Sequence, residues 1–253
     1  MTPDEYVSAI LRKYAIPTGP YSQAEQNAKA IIPIIRSWAG AYLAEIFYSG
    51  SYAKGTGVLG STDIDIFISL SSSIPNTLSG IYNSLVDLAS SKGWMPRRQN
   101  VSVGITYNGA KIDLVPGRVQ EGYYDYHSLY LNRQNSWTQT NVRLHINRVV
   151  NSKRIDEIRA IKIWRNLHNL EFPSFYLELT VLDALSSRST SNLAQNVLTV
   201  LKYLETSLQA ARVEDPANTN NIISQDLTTA EKWAITEQAR RSSQANTWAQ
   251  IIW

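Results

Sequence analysis

The amino-acid sequence predicts an α+β protein in which a mixed first half is followed by a helical second half. Strand-like segments at 45–49 (EIFYS) and 63–70 (DIDIFISL) lie in the first half, together with a hairpin centred on Asn108-Gly109. From about residue 138 onward, the apolar residues follow a helical period instead. The chain has 253 residues and is 43% hydrophobic, which suffices for one large domain or two modest lobes that share an interface.

Helical signals come first along the chain. Thr2 followed by Pro3 predicts the start of a short helix, because Thr is a good N-cap and Pro fits the first helical position. Residues 23–44 also have a helical pattern, and we expect Pro33 to kink or split it.

An amphipathic helix and a tight turn follow the two strands. The helix is predicted over 76–92, where Gly93 ends it. Asn108-Gly109 separates VSVGITY from AKIDLVPG and tolerates the positive φ angles of a type I′ turn.

The second half is predicted to be helical throughout. Thr228 and Glu231 have the spacing of a capping box for the last helix. The predicted helices cover about 138–150, 154–170, 174–187, 192–211 and 228–240.

Composition excludes several classes of protein and site. Without cysteine, disulfides and thiolate metal sites are impossible. Lys and Arg exceed Asp and Glu by 24 to 21, an excess too small to indicate nucleic-acid binding. No apolar run approaches the ~20 residues that span a bilayer. Acidic residues stand near the N-terminus where a signal peptide would be basic, so we expect a cytoplasmic protein with no membrane partner.

The stretch GSYAKGTGVLGSTDID, residues 50–65, places two acids at the start of an apolar strand. Side chains alternate along a strand, so Asp63 and Asp65 project to one side and Ile64 and Ile66 to the other. The isoleucine side can be buried, which leaves two neighbouring carboxylates on the opposite face. Such a pair repels unless a cation lies between its members. Hard oxygen ligands without nearby His or Cys favour Mg²⁺ or Mn²⁺.

A third acid and a phosphate-binding signal accompany this pair. Asp113 lies within the predicted strand KIDLVPG, where an unpaired charge would be costly. Gly50-Ser51 follows a strand, and its backbone N–H groups and hydroxyl can hold phosphate at a helix start. Taken singly, Asp-x-Asp commonly caps a helix or faces solvent, and Gly and Ser are ordinary in loops. The combination instead describes a two-metal phosphoryl-transfer site.

The histidines give no metal-binding signal. His127, His145 and His168 lack the spacing of metal ligands, so we interpret them as structural or solvent-exposed.

Together, GSYAKGT…STDIDIFI and KIDLVP resemble the signature of the DNA polymerase beta-type nucleotidyltransferases. The chain is most similar to the branch that contains oligoadenylate synthetases, cyclic GMP-AMP synthase and the bacterial CD-NTases of anti-phage defence. Later motifs extend this resemblance over roughly residues 45–240: IRAIKIWRN (158–166), PSFYLELTVLDAL (173–185) and VEDPANTNNI (213–222). The resemblance implies a polymerase beta-like mixed sheet with helices, followed by a C-terminal helical lobe. It places the catalytic lobe at 1–135, with N-terminal helices packed on the second lobe, and the helical nucleotide-binding lobe at 136–253.

Carried over residue by residue, the resemblance assigns the three acids and the small-residue loop. Asp63, Asp65 and Asp113 would be catalytic and would bind two Mg²⁺ or Mn²⁺ ions, and Asp113 would also activate the attacking hydroxyl. Gly50 and Ser51 would hold the triphosphate of the incoming nucleotide.

The resemblance also assigns nucleotide-binding residues in the second half. Lys162 would reach the β- or γ-phosphate, although by itself it could equally be a surface lysine. Ser174 would contact phosphate and Tyr176 would stack on a base. The family usually has Ser-Tyr here, whereas this chain reads Ser174-Phe175-Tyr176, so the stacking ring is either Phe175 or Tyr176.

The resemblance leads us to expect a template-independent enzyme that joins ribonucleoside triphosphates into a short cyclic oligonucleotide messenger and releases pyrophosphate. The expected substrates are ATP and, in addition, GTP or other nucleoside triphosphates. We expect a monomer. We also expect no obligate nucleic-acid activator, because basic residues occur in pairs rather than stripes. One alternative is a transferase that uses a tRNA, protein or drug as acceptor. Another is a catalytically inactive nucleotide-binding module, against which the complete set of acids argues.

Overall fold

The computed structural model describes residues 1–17, 19, 21–60 and 63–253, so Ser61 and Thr62 of the predicted motif lie outside the described residues. The helices are α1 (Pro3–Lys13), α2 (Gln23–Ala39), α3 (Gly50–Lys54), α4 (Leu78–Ser91), α5 (Val142–Val150), α6 (Ile155–Leu167), α7 (Ser174–Ala184), α8 (Leu193–Thr206) and α9 (Thr229–Ser243). The strands are β1 (Leu43–Ser49), β2 (Ile64–Leu70), β3 (Arg97–Arg98), β4 (Val103–Tyr107), β5 (Ala110–Gln120), β6 (Tyr123–Leu131) and β7 (Ser136–Thr140). Short 3₁₀ turns lie at Gly40–Tyr42, Ile223–Gln225 and Trp248–Gln250. The predicted α+β class is confirmed.

The chain divides into two compact units. One, here called the sheet unit, comprises Pro17–Ala53 and Thr62–Ile146. The other, here called the helical unit, comprises Met1–Ile16, Lys54–Ser61 and Asn147–Trp253. The predicted lobes, 1–135 and 136–253, stay a prediction.

Within the part of the sheet unit that the structure describes, seven strands form one mixed sheet in the order β1-β2-β5-β4-β3. Strand β6 pairs with the far end of β5, and β7 pairs with β6. Only the pairing of β2 with β5 is parallel among these described strands; the others are antiparallel. The parallel pair therefore brings the beginnings of two strands to the same edge of the sheet.

The sheet buries one face against helices, as the alternation in β2 predicts. Ile64, Ile66 and Ile68 lie in one apolar cluster with residues of α2 and α4. The opposite face of β2 is also covered beyond its acidic end, because Phe67 is fully buried and Ser69 donates to or accepts from His127 at 2.7 Å. Only the first residues of this face therefore keep partial access to solvent.

The helical unit has its own apolar core. Buried side chains of α6, α7 and α8 pack together, and α1 contacts both α6 and α8. Trp164 is fully buried there, and its indole N–H donates to Ser242 at 2.9 Å. Among the described residues, no helix is both long and apolar enough to cross a membrane.

Most local signals are confirmed. Thr2 and Thr228 cap α1 and α9, each in a capping box, and Asn108 and Gly109 both have positive φ. Pro33 does not split its helix, because α2 continues to Ala39.

The prediction of a helix over 138–150 is wrong in its first part. Residues 136–140 form β7, and α5 begins only at Val142. Strands β6 and β7 were missed because their polar and aromatic residues acquire strand structure by pairing with β5 and with each other.

Candidate active site

Two of the three predicted catalytic acids are direct neighbours in the sheet. Asp65 on β2 and Asp113 on β5 are paired in the register of the parallel strands. Because side chains at paired positions project to the same face, the two carboxylates share one side of the sheet. Asp63 stands just before β2 and is exposed, whereas Asp65 and Asp113 are each half-buried. The structure thus pairs Asp65 with Asp113 and places Asp63 one residue before β2.

Gly50, at the start of α3, lies directly against Asp65, one member of this acidic pair. A Cβ atom at position 50 would overlap Oδ2 of Asp65, and the φ of Gly50 is +58°. Both observations require glycine here, since any side chain would collide with the carboxylate and strain the backbone. Ser51 follows on α3 and is half-buried.

Asp113 is held in place by residues of the connection between β3 and β4. The side-chain N–H of Gln99 donates to Asp113 Oδ1 at 2.9 Å, and Ser102 donates to the Gln99 Oε1 at 2.8 Å. The Tyr82 hydroxyl also donates to the Gln99 carbonyl at 2.9 Å. Gln99 is therefore fixed at both ends and presents its amide N–H to the carboxylate.

Gly104 provides the space for this arrangement. It pairs with Asp113 across β4 and β5. A Cβ atom at position 104 would lie 2.7 Å from Gln99 Nε2, 2.9 Å from an Arg97 guanidinium nitrogen and 3.0 Å from Asp113 Oδ1. A larger residue would displace all three groups.

The acids repel one another. Burial, followed by the charge of Asp63, raises the pKa of Asp113, although Arg97, the Gln99 hydrogen bond and Lys111 act in the opposite direction. A cation beside these carboxylates would relieve both the repulsion and the desolvation. The donor set, three carboxylates, suits Mg²⁺ or Mn²⁺. Among the described residues, however, no group of three or more His, Cys, Asp or Glu side chains is arranged to hold a metal ion.

Lys162, the predicted phosphate ligand, lies in the helical unit and is only 2% exposed. Its ammonium group donates to Glu178 Oε1 at 2.7 Å and to Thr56 Oγ1 at 2.9 Å. Lys54 donates to the other Glu178 oxygen at 2.8 Å, and Thr56 donates to Oε1 at 2.7 Å. We call these four residues the lysine–glutamate cluster.

The lysine–glutamate cluster holds two cations and one anion. Burial lowers the pKa of Lys162, while Glu178 opposes that effect. For Glu178, burial raises the pKa, but Lys54 and Lys162 outweigh it and hold the pKa below its usual value. The carboxylate is therefore ionised, and the cluster carries one net positive charge when both lysines are protonated.

The three residues at the start of α7 have different environments. Ser174 is exposed and accepts a hydrogen bond from Arg165 at 3.1 Å. Tyr176 is fully buried and packs edge-on against Phe172, with ring centroids 5.1 Å apart. Its buried ring offers no face to a base. Phe175 is half-buried, with Lys54 Nζ 4.4 Å from its ring centroid. We therefore expect Phe175, rather than Tyr176, to stack on a base.

Other predicted motif residues have structural environments. His127 is buried against Phe67, and burial lowers its pKa. His168 contacts the Ile251 carbonyl oxygen at 3.0 Å. In the turn 213–222, Asp215 accepts from Ala217 N at 2.8 Å and from the Asn221 amide at 3.3 Å.

Sequence reasoning missed Gln99, Lys54 and Glu178. Gln99 carries no local signal, because its role depends on how β3 and β4 pair. Glu178 and Lys54 are 124 positions apart. Glu178 lies in α7, whose sequence SFYLELTVLDA is mostly apolar, and a charge in such a helix is a usable signal for a buried ion pair.

Comparisons with known proteins agree with this geometry. No family model matches the chain. A cyclic AMP-AMP-AMP synthase of Escherichia coli (strain MS 115-1) is 26% identical over 165 residues, which is 59% of this chain and 51% of that protein. The match therefore spans about half the length of this curated relative.

Solved structures share the fold across nearly the whole chain. The E. coli MS115-1 CdnC structure with ATP has a TM-score of 0.78 and 20% identity, and the match covers 98% of this chain and 96% of that one. The same protein is also solved in complex with HORMA-deltaN, with a TM-score of 0.78 and 21% identity over 98% of this chain and 96% of that chain. The Bradyrhizobium diazoefficiens CD-NTase CdnG with GTP has a TM-score of 0.80 and 13% identity, over 96% of this chain and 90% of that chain.

The fold likeness and the sequence relative point to the same group as the motifs. Together they confirm the resemblance that the acidic and glycine-rich segments indicate. The chain is thus similar in sequence to a cyclic AMP-AMP-AMP synthase and has the fold of solved CD-NTase structures.

Proposed function

We propose that this protein is a template-independent nucleotidyltransferase that joins ribonucleoside triphosphates into a short cyclic oligonucleotide. The pairing of Asp65 with Asp113 beside the Gly50 backbone carries the proposal. It sets a pair of repelling carboxylates against a small-residue segment that can approach phosphate closely. The synthase activity of the E. coli relative supports the same reaction class.

The proposed reaction is a nucleotidyl transfer. A ribose hydroxyl oxygen attacks the α-phosphorus of a nucleoside triphosphate, the bond between that phosphorus and the bridging oxygen breaks, and pyrophosphate leaves. Asp113 accepts the hydroxyl proton, and its raised pKa makes it a stronger base than an ordinary aspartate. Gln99 orients the carboxylate for this step.

We assign the two metal ions to Asp63, Asp65 and Asp113, whose oxygen donors suit Mg²⁺ or Mn²⁺. When bound, such ions neutralise charge on the transferring phosphoryl group and on the leaving pyrophosphate. Gly50 and Ser51 bind the triphosphate through backbone N–H groups and the serine hydroxyl.

We also assign phosphate binding to Lys162 and Ser174, and base stacking to Phe175. The net positive charge of the lysine–glutamate cluster supports the assignment of Lys162, because a buried excess cation is best balanced by an anion. We place the enzyme in the cytoplasm, as a monomer that needs no nucleic-acid activator. The anti-phage role of the family is part of this proposal.

The test uses purified protein with all four ribonucleoside triphosphates and Mg²⁺. Products are treated with phosphatase and identified by mass spectrometry. We expect a product that survives phosphatase, since a cyclic oligonucleotide has no terminal phosphate. Only phosphatase-sensitive chains would contradict cyclisation, and labelling of added tRNA or protein would favour the alternative acceptors. Added double-stranded DNA or RNA should leave the rate unchanged.

A further inference from the structure

Glu25 occupies the third position of α2, and its backbone N–H donates to the N-cap Ser22 hydroxyl at 3.3 Å, but its side chain does not complete a capping box. At α1 and α9, the glutamate at this position returns to the N-cap backbone N–H and closes a capping box. At α2, the N-cap is Ser22, and its backbone N–H donates to the Gly19 carbonyl at 2.9 Å instead. The Glu25 carboxylate is therefore committed to other partners.

Those partners are two tyrosines on either side of the glycine-serine segment. The Tyr48 hydroxyl, near the end of β1, donates to Glu25 Oε2 at 2.9 Å. The Tyr52 hydroxyl, on α3, donates to Glu25 Oε1 at 3.0 Å. The two rings also meet edge to face with centroids 5.2 Å apart. One carboxylate thus fastens both ends of residues 48–52.

Both hydroxyls are dependable donors. Burial, and after it the hydrogen bond to Glu25, raises the pKa of Tyr48 and of Tyr52. Each hydroxyl therefore stays protonated at neutral pH, and each bond joins a neutral donor to a carboxylate. Hydrogen bonds of this kind are stronger than bonds between neutral groups.

The same segment is limited on its other side by the acidic pair. Gly50 lies so close to Asp65 that no side chain fits between them. A shift of residues 48–52 would therefore change the position of the Gly50-Ser51 backbone relative to the Asp65 carboxylate. Small displacements of this kind can cost about 100-fold in rate.

We propose that Glu25 is a positioning residue for nucleotidyl transfer, which acts through Tyr48 and Tyr52 to fix the Gly50-Ser51 segment beside Asp65. This inference rests on the proposed function for the role of that segment.

The experiment compares Glu25→Gln and Tyr52→Phe with wild-type protein. Amide hydrogen exchange of the peptide covering residues 49–53 is measured without nucleotide, and binding of the α,β-methylene analogue of ATP with Mg²⁺ is measured by calorimetry. We expect faster exchange in both variants and about tenfold weaker analogue binding, the scale for losing a hydrogen bond to a charged group. Adenosine, which lacks phosphates, should bind equally to all three proteins.

Tyr130→Phe is the matched control, because it also removes a tyrosine hydroxyl. Tyr130 lies on β6, and its hydroxyl donates to Asn135 at 2.8 Å. This variant should exchange and bind like wild type. Unchanged exchange and binding in Glu25→Gln and Tyr52→Phe would overturn the inference, and so would an equal loss of adenosine binding. If wild-type protein fails to bind the analogue, the proposed function fails, and the exchange rates alone still decide whether Glu25 fixes the segment.

Discussion

The acidic pair on the sheet and the lysine–glutamate cluster are both groups of charges, but their environments differ. Asp65 and Asp113 are half-buried neighbours of like charge, and Asp63 adds to their repulsion. In the lysine–glutamate cluster, Glu178 is 1% exposed and both of its oxygens accept hydrogen bonds from ammonium groups. The first group is repulsive and accessible, whereas the second is largely compensated and enclosed.

This difference separates function from stability. A fold gains nothing from three repelling carboxylates, so their presence indicates a ligand that compensates them. A buried carboxylate between two lysines instead costs a great deal when its charge is removed, because the cations lose their partner. Substitutions that remove one negative charge should therefore have opposite effects on the stability of the two groups.

The largest expected effect is on activity, from Asp113→Asn. We expect nucleotidyl transfer to fall by at least ~10³-fold, as when a member of a catalytic set is removed. The free energy of unfolding at neutral pH should rise, because the substitution removes a desolvated and repelled charge. Initial rates and urea denaturation measure the two effects. Near wild-type turnover, or an unfolding midpoint below that of wild type, would contradict this assignment.

Glu178→Gln should have the opposite effect on stability. Lys54 and Lys162 would lose their shared carboxylate, and breaking such a buried pair costs about 3–5 kcal/mol. Urea denaturation measures the loss. Glu205→Gln, in an ion pair with the exposed Lys202, is the control and should change the unfolding free energy by less than about 1 kcal/mol. Equal effects of the two substitutions would mean that the lysine–glutamate cluster is not a structural unit.

Lys162→Met tests whether the lysine–glutamate cluster also serves binding. Lys54 would remain to pair with Glu178, so the fold should survive. We expect ATP to bind about tenfold more weakly, the scale of one charge-assisted hydrogen bond, and AMP to bind almost unchanged. Calorimetry with both nucleotides measures this. An equal loss for ATP and AMP would leave Lys162 with a structural role only, and the exposed Lys202→Met serves as control.

Acid should narrow the difference in unfolding free energy between wild type and Asp113→Asn, and also that between wild type and Glu178→Gln, but over different pH ranges. The raised pKa of Asp113 means that folded protein binds the proton first, so wild type gains stability and approaches Asp113→Asn above pH 3.8. The lowered pKa of Glu178 means that unfolded protein binds its proton first, so wild type loses stability and approaches Glu178→Gln only below pH 4.5. Urea midpoints between pH 7 and 3 measure both gaps. The comparison would be reversed if the stability difference between wild type and Asp113→Asn persisted to a lower pH than the difference between wild type and Glu178→Gln.

The smallest effect is expected at Tyr176, which lies in α7 two residues before Glu178. Among the buried side-chain atoms that the structure describes, the Tyr176 hydroxyl lacks a hydrogen-bond partner, and burial raises the pKa of Tyr176 to about 12. Tyr176→Phe should therefore leave stability unchanged or raise it by up to ~1 kcal/mol. Tyr82→Phe, which loses bonds to the Gln99 and Ser102 carbonyls, should be destabilised. Calorimetric melting measures both, and a destabilised Tyr176→Phe would show that this hydroxyl has a partner in solution.

Local sequence patterns predicted those parts of the fold that depend on short-range physics. The capping boxes at Thr2 and Thr228, the turn at Asn108-Gly109 and the buried isoleucine face of β2 all follow from neighbouring residues. Strands β6 and β7 were not predictable in this way, because their residues form strands only by pairing with distant partners.

For the site, the sequence by itself singled out the three acids, the glycine-serine segment and the resemblance that they indicate. Those features are local: alternation along a strand and the conformational freedom of glycine are written in consecutive residues. Only the tertiary structure decided that Asp65 is paired with Asp113, that Tyr176 is buried and that Glu178 holds two lysines. Pairing and burial are properties of residues far apart in the chain, so no window of the sequence contains them.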